Sequence, residues 1–268
     1  MNIGFIGAGG NIAGAIINGI FNSQLVDSKQ LFMFDPNREP LKKFEDLGAN
    51  ICDSAKDVVN NSDYIFLCVK PQIIFDIISG IKQFVTAQKC IVSVAAGISI
   101  ASIKQAVGFD CKVIRVMPNT PLMLSQGASG VSCLPPVSDD EFDFVLNIFK
   151  TSGVAVACDE NQINAVTAVS GSGPAYVFKF AKAVIEQSVQ LGLEQDKAAE
   201  LMYQTLIGAA YMLRDSGKSA DELIKMVTSP KGTTLAALEY FDSKDFDNIV
   251  KGAVNACKNR ADELGASK

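Results

Sequence analysis

The sequence predicts an open parallel α/β sheet in its first half and an all-helical second half. Four short apolar, β-branched runs carry the first part: IGFIGAGGN at 3–11, DYIFLCVKP at 63–71, CIVSVAAG at 90–97 and KVIRVMPN at 112–119. Helical patterns separate them, and strands that alternate with helices build parallel sheets. After Glu160 strand signals cease, and helical patterns run to the end.

Taken in order, strands are expected near 2–7, 31–35, 64–69, 90–95, 112–117, 128–133 and 153–158. Helices are expected near 12–22, 38–47, 71–84, 99–107 and 138–150, then at 174–191, 196–215, 220–227, 233–241 and 244–264. Pro174 suits a first helical turn, where its missing N–H costs nothing. Ser219 with Glu222 spells a capping box, and Gly192 and Gly217 suit helix ends. In 174–191 the polar Lys179, Lys182, Glu186 and Gln190 recur at three- and four-residue steps, which leaves a wide apolar circumference. One chain cannot cover that much surface, so the helical half is a candidate for dimerisation. The break between the halves falls near 158–163, giving domains of 1–160 and 161–268.

Composition narrows the function. With 268 residues, two domains are expected rather than one. The 29 acidic and 24 basic residues give a net charge of −5, with no Lys/Arg cluster, which argues against nucleic acid as a partner. Residues 1–26 are uncharged but interrupted by glycines and lack a basic start, unlike an export signal. The uncharged stretch 116–138 contains four prolines, so it does not read as a membrane span. A cytoplasmic protein is expected. Seven scattered cysteines, without a close pair or any histidine, fit buried thiols better than disulfides or a zinc site. Without histidine, a proton must come from Lys, Tyr, Thr, Ser, a carboxylate or water.

Ligands of parallel sheets sit at the carboxyl ends of the strands. The turns there place Gly7, Ala8, Gly9, Gly10, Asn11, Ile12, Val69, Lys70, Pro71, Ala95, Ala96, Gly97, Pro118 and Asn119 along one crevice. A strand entering GAGGN and then a helix presents backbone N–H groups and a positive dipole end, the physics of pyrophosphate binding. The dinucleotide fingerprint is imperfect: Gly7 and Gly9 fit, but the third small position falls on Ile12. After the second strand, Asp35 could accept from a ribose 2′-OH, favouring NADH, while Asn37 and Arg38 could hold a 2′-phosphate, favouring NADPH. Equally, Asp35 and Arg38 could serve only a turn and a solvated helix.

In the helical half, TSPKGTT at 228–234 is the most specific stretch. Ser229-Pro230 fixes an extended approach, Lys231-Gly232 turns it, and Thr233-Thr234 opens a helix whose free N–H groups could bind a carboxylate. A plain threonine cap would use the same residues.

GFIGAGGNIA, VKP at 69–71, SVAAGI at 93–98, RVMPNTP at 115–121, SGSGPAY at 170–176 and SPKGTT at 229–234 occur in one order over the whole chain. In that order and spacing the sequence resembles the pyrroline-5-carboxylate reductases. The resemblance implies a Rossmann-like dinucleotide-binding domain followed by an all-α dimerisation domain. It implies reduction of a cyclic imine, 1-pyrroline-5-carboxylate, to L-proline by NADPH or NADH, the last step of proline biosynthesis. A homodimer, in some members assembled into decamers, is implied as well. Together with the helix-terminus argument it assigns the substrate carboxylate to Gly232, Thr233 and Thr234. It also sets the Thr234 hydroxyl against the ring nitrogen and gives Ser229 a part in shaping the pocket. Lys70 is a candidate proton source or electrostatic anchor, or else a structural or phosphate-facing residue.

Two departures from the family pattern stand out. Its glycine loop usually has one residue fewer, and it commonly has Gly-Gly where this chain has Lys231-Gly232. Lys231 then either adds a cation beside the carboxylate site or points to solvent. Two other functions fit the layout: a 3-hydroxy acid dehydrogenase, though no Lys lies between 159 and 178 to transfer a proton, and a non-catalytic NAD(P)-binding regulator.

Overall fold

A computed structural model describes residues 1–266. Strands β1 (Ile3–Ile6), β2 (Leu31–Phe34), β3 (Asn50–Ile51), β4 (Tyr64–Leu67), β5 (Cys90–Ser93), β6 (Lys112–Met117), β7 (Gly127–Cys133) and β8 (Gly153–Ala157) form one sheet. Their order is β3-β2-β1-β4-β5-β6-β7-β8. The first six strands are parallel; β7 runs antiparallel to β6, and β8 parallel to β7.

Alternation along each strand explains the layers. Phe5, Phe66, Val92 and Ile114 point to one face, where they meet Ile16, Ile20, Phe44 and Phe149 of helices α1 (Asn11–Ser23), α2 (Lys42–Glu45) and α6 (Asp139–Lys150). Ile6, Ile65, Ile91 and Val113 point to the other, against Val58, Ile78 and Ile103 of α3 (Ala55–Asn61), α4 (Ile74–Ile81) and α5 (Ile100–Val107). A sheet covered on both faces needs continuous apolar runs, and β1, β4 and β5 are buried at every residue.

Several details differ from the sequence expectations. The short β3 and α3 were not anticipated. The sheet is mixed, because residues 118–126 are too few for a helical crossover and return the chain as a hairpin. Beyond β8 the chain forms α7 (Ile163–Val166) and a π-turn (Thr167–Gly171) where no helix was expected.

The helices that follow are α8 (Gly173–Gln190), α9 (Gln195–Asp215), α10 (Ala220–Val227), α11 (Thr233–Ser243) and α12 (Phe246–Ala266). Pro174 sits in the first turn of α8, and the Ser219/Glu222 capping box closes the start of α10. Gly192 and Gly217 take left-handed φ at helix ends. Two compact units result: Met1–Pro174 with the described residues from Ala256 on, and Ala175–Asn255. Thus the first unit continues past the end of strand structure at 158–163, because α7 packs on β6 and β7. The helical unit has a small core of Ala181, Ile185, Ala198 and Met202. Phe178 and Phe180 of α8 remain exposed, in keeping with the apolar circumference read at 174–191, and so do Tyr203, Ile207 and Tyr211 of α9.

Candidate functional site

Because β1, β4, β5 and β6 are parallel neighbours, their carboxyl ends share one edge of the sheet. Gly7–Ile12, Val69–Pro71, Ala95–Gly97 and Pro118–Asn119 follow those ends in the chain, as the sequence required.

The glycine turn is built by backbone bonds. The N–H groups of Gly7 and Ala8 donate to the Phe34 carbonyl at 2.9 and 3.2 Å, and Gly10 N–H closes onto the Gly7 carbonyl at 3.3 Å. Gly7 has φ +83°, and a Cβ there would stand 2.6 Å from the Cys68 carbonyl oxygen, so only glycine fits. Helix α1 then starts at Asn11 with Gly10 as its cap. Its first N–H groups have no partner within the helix and point their dipole at the turn. Beside Gly9, Gly10 and Asn11 opens a cavity of about 300 Å³, bounded further by Pro40, Lys43 and Met123. These features suit the pyrophosphate bridge of a dinucleotide.

Asp35 serves a turn, the second of the two roles open to it in the sequence. Its Oδ2 accepts from Gly9 N–H at 3.0 Å and its Oδ1 from Asn37 N–H at 2.9 Å, so the carboxylate ties the glycine turn to the end of β2. Arg38 donates to Asp53 at the surface. Lys70 is exposed, with no side-chain partner among the described residues.

Other expected crevice residues are committed to the fold. Asn119 is 8% exposed; its Nδ2 donates to the Ser170 carbonyl at 3.0 Å and its Oδ1 accepts from Ala128 N–H at 2.8 Å. It thereby clamps the π-turn to β7. Ala95 belongs to the core under the sheet, and a Cβ on Gly97 would stand 3.2 Å from Leu264 Cβ. Cys68 is an inert thiol, since burial pushes its pKa up to about 12.

One charged group near this edge escaped the sequence reading. Arg115, 5% exposed on β6, faces Glu160 Oε1 at 3.5 Å and donates to Asn164 Oδ1 at 3.0 Å. Burial lowers its pKa and Glu160 offsets part of that. The same Glu160 oxygen accepts from Ile100 N–H at 2.7 Å, and Asn164 donates to Asp262 of α12 at 2.8 Å. A charge inside the apolar KVIRVM run was the available signal, but its partners lie 45 and 49 residues away.

In the helical unit, Ser229 to Gly232 form a tight turn in which Gly232 N–H donates to the Ser229 carbonyl at 3.0 Å. Pro230 occupies the position that prefers a fixed φ, and Lys231 the next, with φ +59°. That left-handed position suits glycine, which gives the Gly-Gly of the resembled pattern a physical reason. Lys231 is exposed. Gly232 caps α11, and its carbonyl accepts from Ala236 N–H at 3.3 Å. The N–H groups of Thr233 and Thr234 therefore have no partner within the helix. Thr234 is half-buried, and its hydroxyl makes no hydrogen bond among the described residues.

Residues 160–264 match a family model described as pyrroline-5-carboxylate reductase dimerisation, and residues 2–97 one described as NADP oxidoreductase coenzyme F420-dependent. The pyrroline-5-carboxylate reductase of Pseudomonas aeruginosa is 39% identical over 98% of this chain and 96% of its own. Among solved structures, that of a Coxiella burnetii pyrroline-5-carboxylate reductase aligns with a TM-score of 0.90 at 32% identity, over 98% of both chains. A Plasmodium falciparum pyrroline carboxylate reductase with NADP bound also gives 0.90, at 28% identity, over 99% of this chain and 98% of that one. Among the described residues no helix is long and apolar enough to cross a membrane.

Proposed function

The chain belongs to the pyrroline-5-carboxylate reductase family, and we infer from that membership that it reduces 1-pyrroline-5-carboxylate to L-proline with NADPH or NADH. It is an oxidoreductase of proline biosynthesis with a Rossmann-like cofactor domain and a dimerisation domain.

Reducing a protonated cyclic imine asks little of a protein beyond orientation and a held proton. Bound NAD(P)H supplies the hydride. In our reading the glycine turn and the start of α1 hold the pyrophosphate, with Gly7, Ala8, Gly9, Gly10, Asn11 and Ile12 contributing backbone. Val69, Lys70, Pro71, Ala96, Gly97 and Pro118 border the nicotinamide half, and Lys70 acts there as an electrostatic anchor or proton source. Ala95 and Asn119 support that edge from within. The N–H groups following Gly232 take the substrate carboxylate, Ser229 shapes the turn, and the Thr234 hydroxyl oxygen accepts from the N–H of the protonated ring nitrogen.

The observation that carries the substrate assignment is the Ser229–Gly232 turn, which leaves the N–H groups and hydroxyls of Thr233 and Thr234 open at the start of an eleven-residue helix. A carboxylate next to a protonated ring nitrogen meets the N–H groups as a charged acceptor and the Thr234 hydroxyl oxygen as a donor. The functional division runs between 160 and 161, supported by the start of the dimerisation match at residue 160. A homodimer through 161–268, able to assemble further into decamers, accounts for the exposed Phe178, Phe180 and Tyr211. A cytoplasmic location fits seven free thiols, which a reducing compartment preserves.

The purified chain should oxidise NADPH or NADH only with the imine present. Thr234→Ala should lower kcat by roughly 10- to 1,000-fold with cofactor affinity unchanged. Normal kcat and kcat/KM in that variant would remove Thr234 from the chemistry. Cofactor binding without any turnover by the folded wild type would remove the function itself.

A further inference from the structure

Gly97, in the loop after β5, has φ +74°, and the end of α12 is seated against it. A Cβ on Gly97 would stand 3.2 Å from Leu264 Cβ, and one on Gly265 would stand 3.3 Å from the Gly97 carbonyl oxygen. Two glycines thus let a loop and a helix end meet backbone to backbone. That loop, residues 95–99, starts with Ala95 N–H donating to Ser93 Oγ at 3.3 Å and runs directly into α5.

Both sides of this contact are held by one set of hydrogen bonds. Glu160 Oε1 accepts from Ile100 N–H, at the start of α5, at 2.7 Å and faces Arg115. Arg115 donates to Asn164 Oδ1 at 3.0 Å, Asn164 Nδ2 donates to Asp262 Oδ1 at 2.8 Å, and Lys258 pairs with Asp262 Oδ2 at 2.8 Å. Asp262 stands two residues before Leu264, so the bonds run from the start of α5 to the helix turn that meets Gly97. Stability is a poor account of them. Arg115 is 5% exposed, its ion pair is long at 3.5 Å, and a buried charge set of this kind is often replaceable by apolar side chains without loss. What the bonds fix is where the loop stands relative to the sheet.

We propose that Asp262 is a positioning residue for the nicotinamide: through Asn164 and the contact of Gly265 with Gly97, it sets the height of residues 95–97, which border the nicotinamide half of the cofactor. The proposal rests on the dinucleotide reading given above and deepens it. Asp262 acts through the loop, not on the reacting atoms. A loop displaced by a fraction of an ångström leaves the adenosine half of the cofactor where it was and misplaces the ring that carries the hydride.

Calorimetric titration of the full chain with NADPH and with adenosine 2′,5′-bisphosphate, which has no nicotinamide, tests this without turnover. Asp262→Ala should weaken NADPH by about fivefold, a modest loss because the carboxylate is half-exposed, and move the bisphosphate by less than about twofold. Asp262→Asn, which keeps an acceptor for Asn164, should restore most of the difference, and Lys258→Met should change neither probe. Gly265→Val, which crowds the Gly97 carbonyl without touching the hydrogen bonds, should repeat the Asp262→Ala pattern. Equal losses for both probes in Asp262→Ala, or none, would overturn the assignment. So would a selective loss in Gly265→Val with Asp262→Ala unaffected. A thermal melt of each variant separates misfolding from lost positioning, and the valine variant keeps the test open if Asp262→Ala is unstable. A wild type that binds neither probe would overturn the dinucleotide reading and this proposal with it, whereas a failure to reduce the imine would leave the binding ratio standing.

Discussion

Replacing Gly7 by alanine should damage both the fold and cofactor binding, whereas the same change at Gly10 should not damage the fold. At Gly7 the backbone has φ +83°, a region that costs an L-residue about 1–2 kcal/mol. The new Cβ would also stand 2.6 Å from the Cys68 carbonyl oxygen and 2.8 Å from Val69 Cγ1. The carbonyl cannot yield cheaply, since it is backbone just past the end of β4. The turn must shift instead, and the Gly7 and Ala8 bonds to the Phe34 carbonyl then lengthen. Strain and weakened bonds together come to about 2–4 kcal/mol. At Gly10 φ is −76° and the nearest atom to a Cβ is the Gly7 carbonyl oxygen at 3.5 Å, so alanine fits. Its cost there is a poorer helix cap, below about 1 kcal/mol. Thermal unfolding should show Gly7→Ala falling by roughly 5–10 °C. Fluorescence titration should show NADPH binding weakened at least about tenfold, because the first N–H groups of α1 move with the turn. A Gly7→Ala protein that melts no lower than Gly10→Ala would refute the argument.

Other consequences follow from groups remote from the turn. Glu160→Ala strands the buried Arg115 and orphans Ile100 N–H, so it should cost about 3–5 kcal/mol in denaturant unfolding. Glu160→Gln, which keeps an acceptor, should cost clearly less, and equal costs would show that the charge is immaterial. Lys231→Gly should raise stability by about 0.5–1 kcal/mol, the relief at φ +59° exceeding the added freedom of the unfolded chain; a lower melting temperature would refute this. Burial would raise the Glu141 pKa, but hydrogen bonds from Lys112 at 2.6 Å and from Ser138 outweigh it and hold the carboxyl below its ordinary 4.5. Its stabilisation is therefore complete above about pH 4.5 and is lost as pH falls through the lower folded value. The acid limb of a stability–pH curve should flatten in Lys112→Met, and an unchanged limb would show that the pair is idle.

What could be read from the sequence was whatever each segment settles for itself. Strands β1, β4 and β5 are apolar at every position because both sheet faces are covered, and that pattern is local. The Ser219 cap and the glycines at 192 and 217 act within one turn. By contrast β3 has two residues and no periodicity, and α3 buries only Val58 and Val59 among polar neighbours. Alternation carries no direction, so nothing in VSC at 131–133 tells antiparallel from parallel pairing. Residues 163–172 fold as they do because Arg115 and Asn119 reach them from β6 and the turn after it. Such dependence is invisible to any window along the chain. The candidate site divides in the same way: the glycine turn and the SPKGTT turn are local motifs, while the bond from Gly9 N–H to Asp35, 26 residues away, emerges only in the fold.

Asp35 shows why that division bears on specificity. Read along the chain, a carboxylate at the end of β2 is either a ligand for a ribose hydroxyl, able to swing aside when a phosphate arrives, or a turn residue. In the structure each of its oxygens already accepts a backbone N–H, from Gly9 and from Asn37. A carboxylate oxygen has two lone pairs, so Asp35 can still accept from a hydroxyl while holding the turn. Turning away from a phosphate, however, would release Gly9, loosen the turn that binds the pyrophosphate, and forfeit two charge-assisted bonds of about 1.5–3 kcal/mol each. The acid therefore stays, NADH keeps a favourable contact, and NADPH binding must be won by groups other than Asp35. A chain arranged in this way should use both cofactors with a modest preference for NADPH. Asp35→Asn should widen that preference at the expense of the turn's stability, since its amide oxygen can hold only part of what the carboxylate holds. Steady-state kinetics with each cofactor would show it, and a preference that narrows in Asp35→Asn would mean that the acid is not what restrains NADPH.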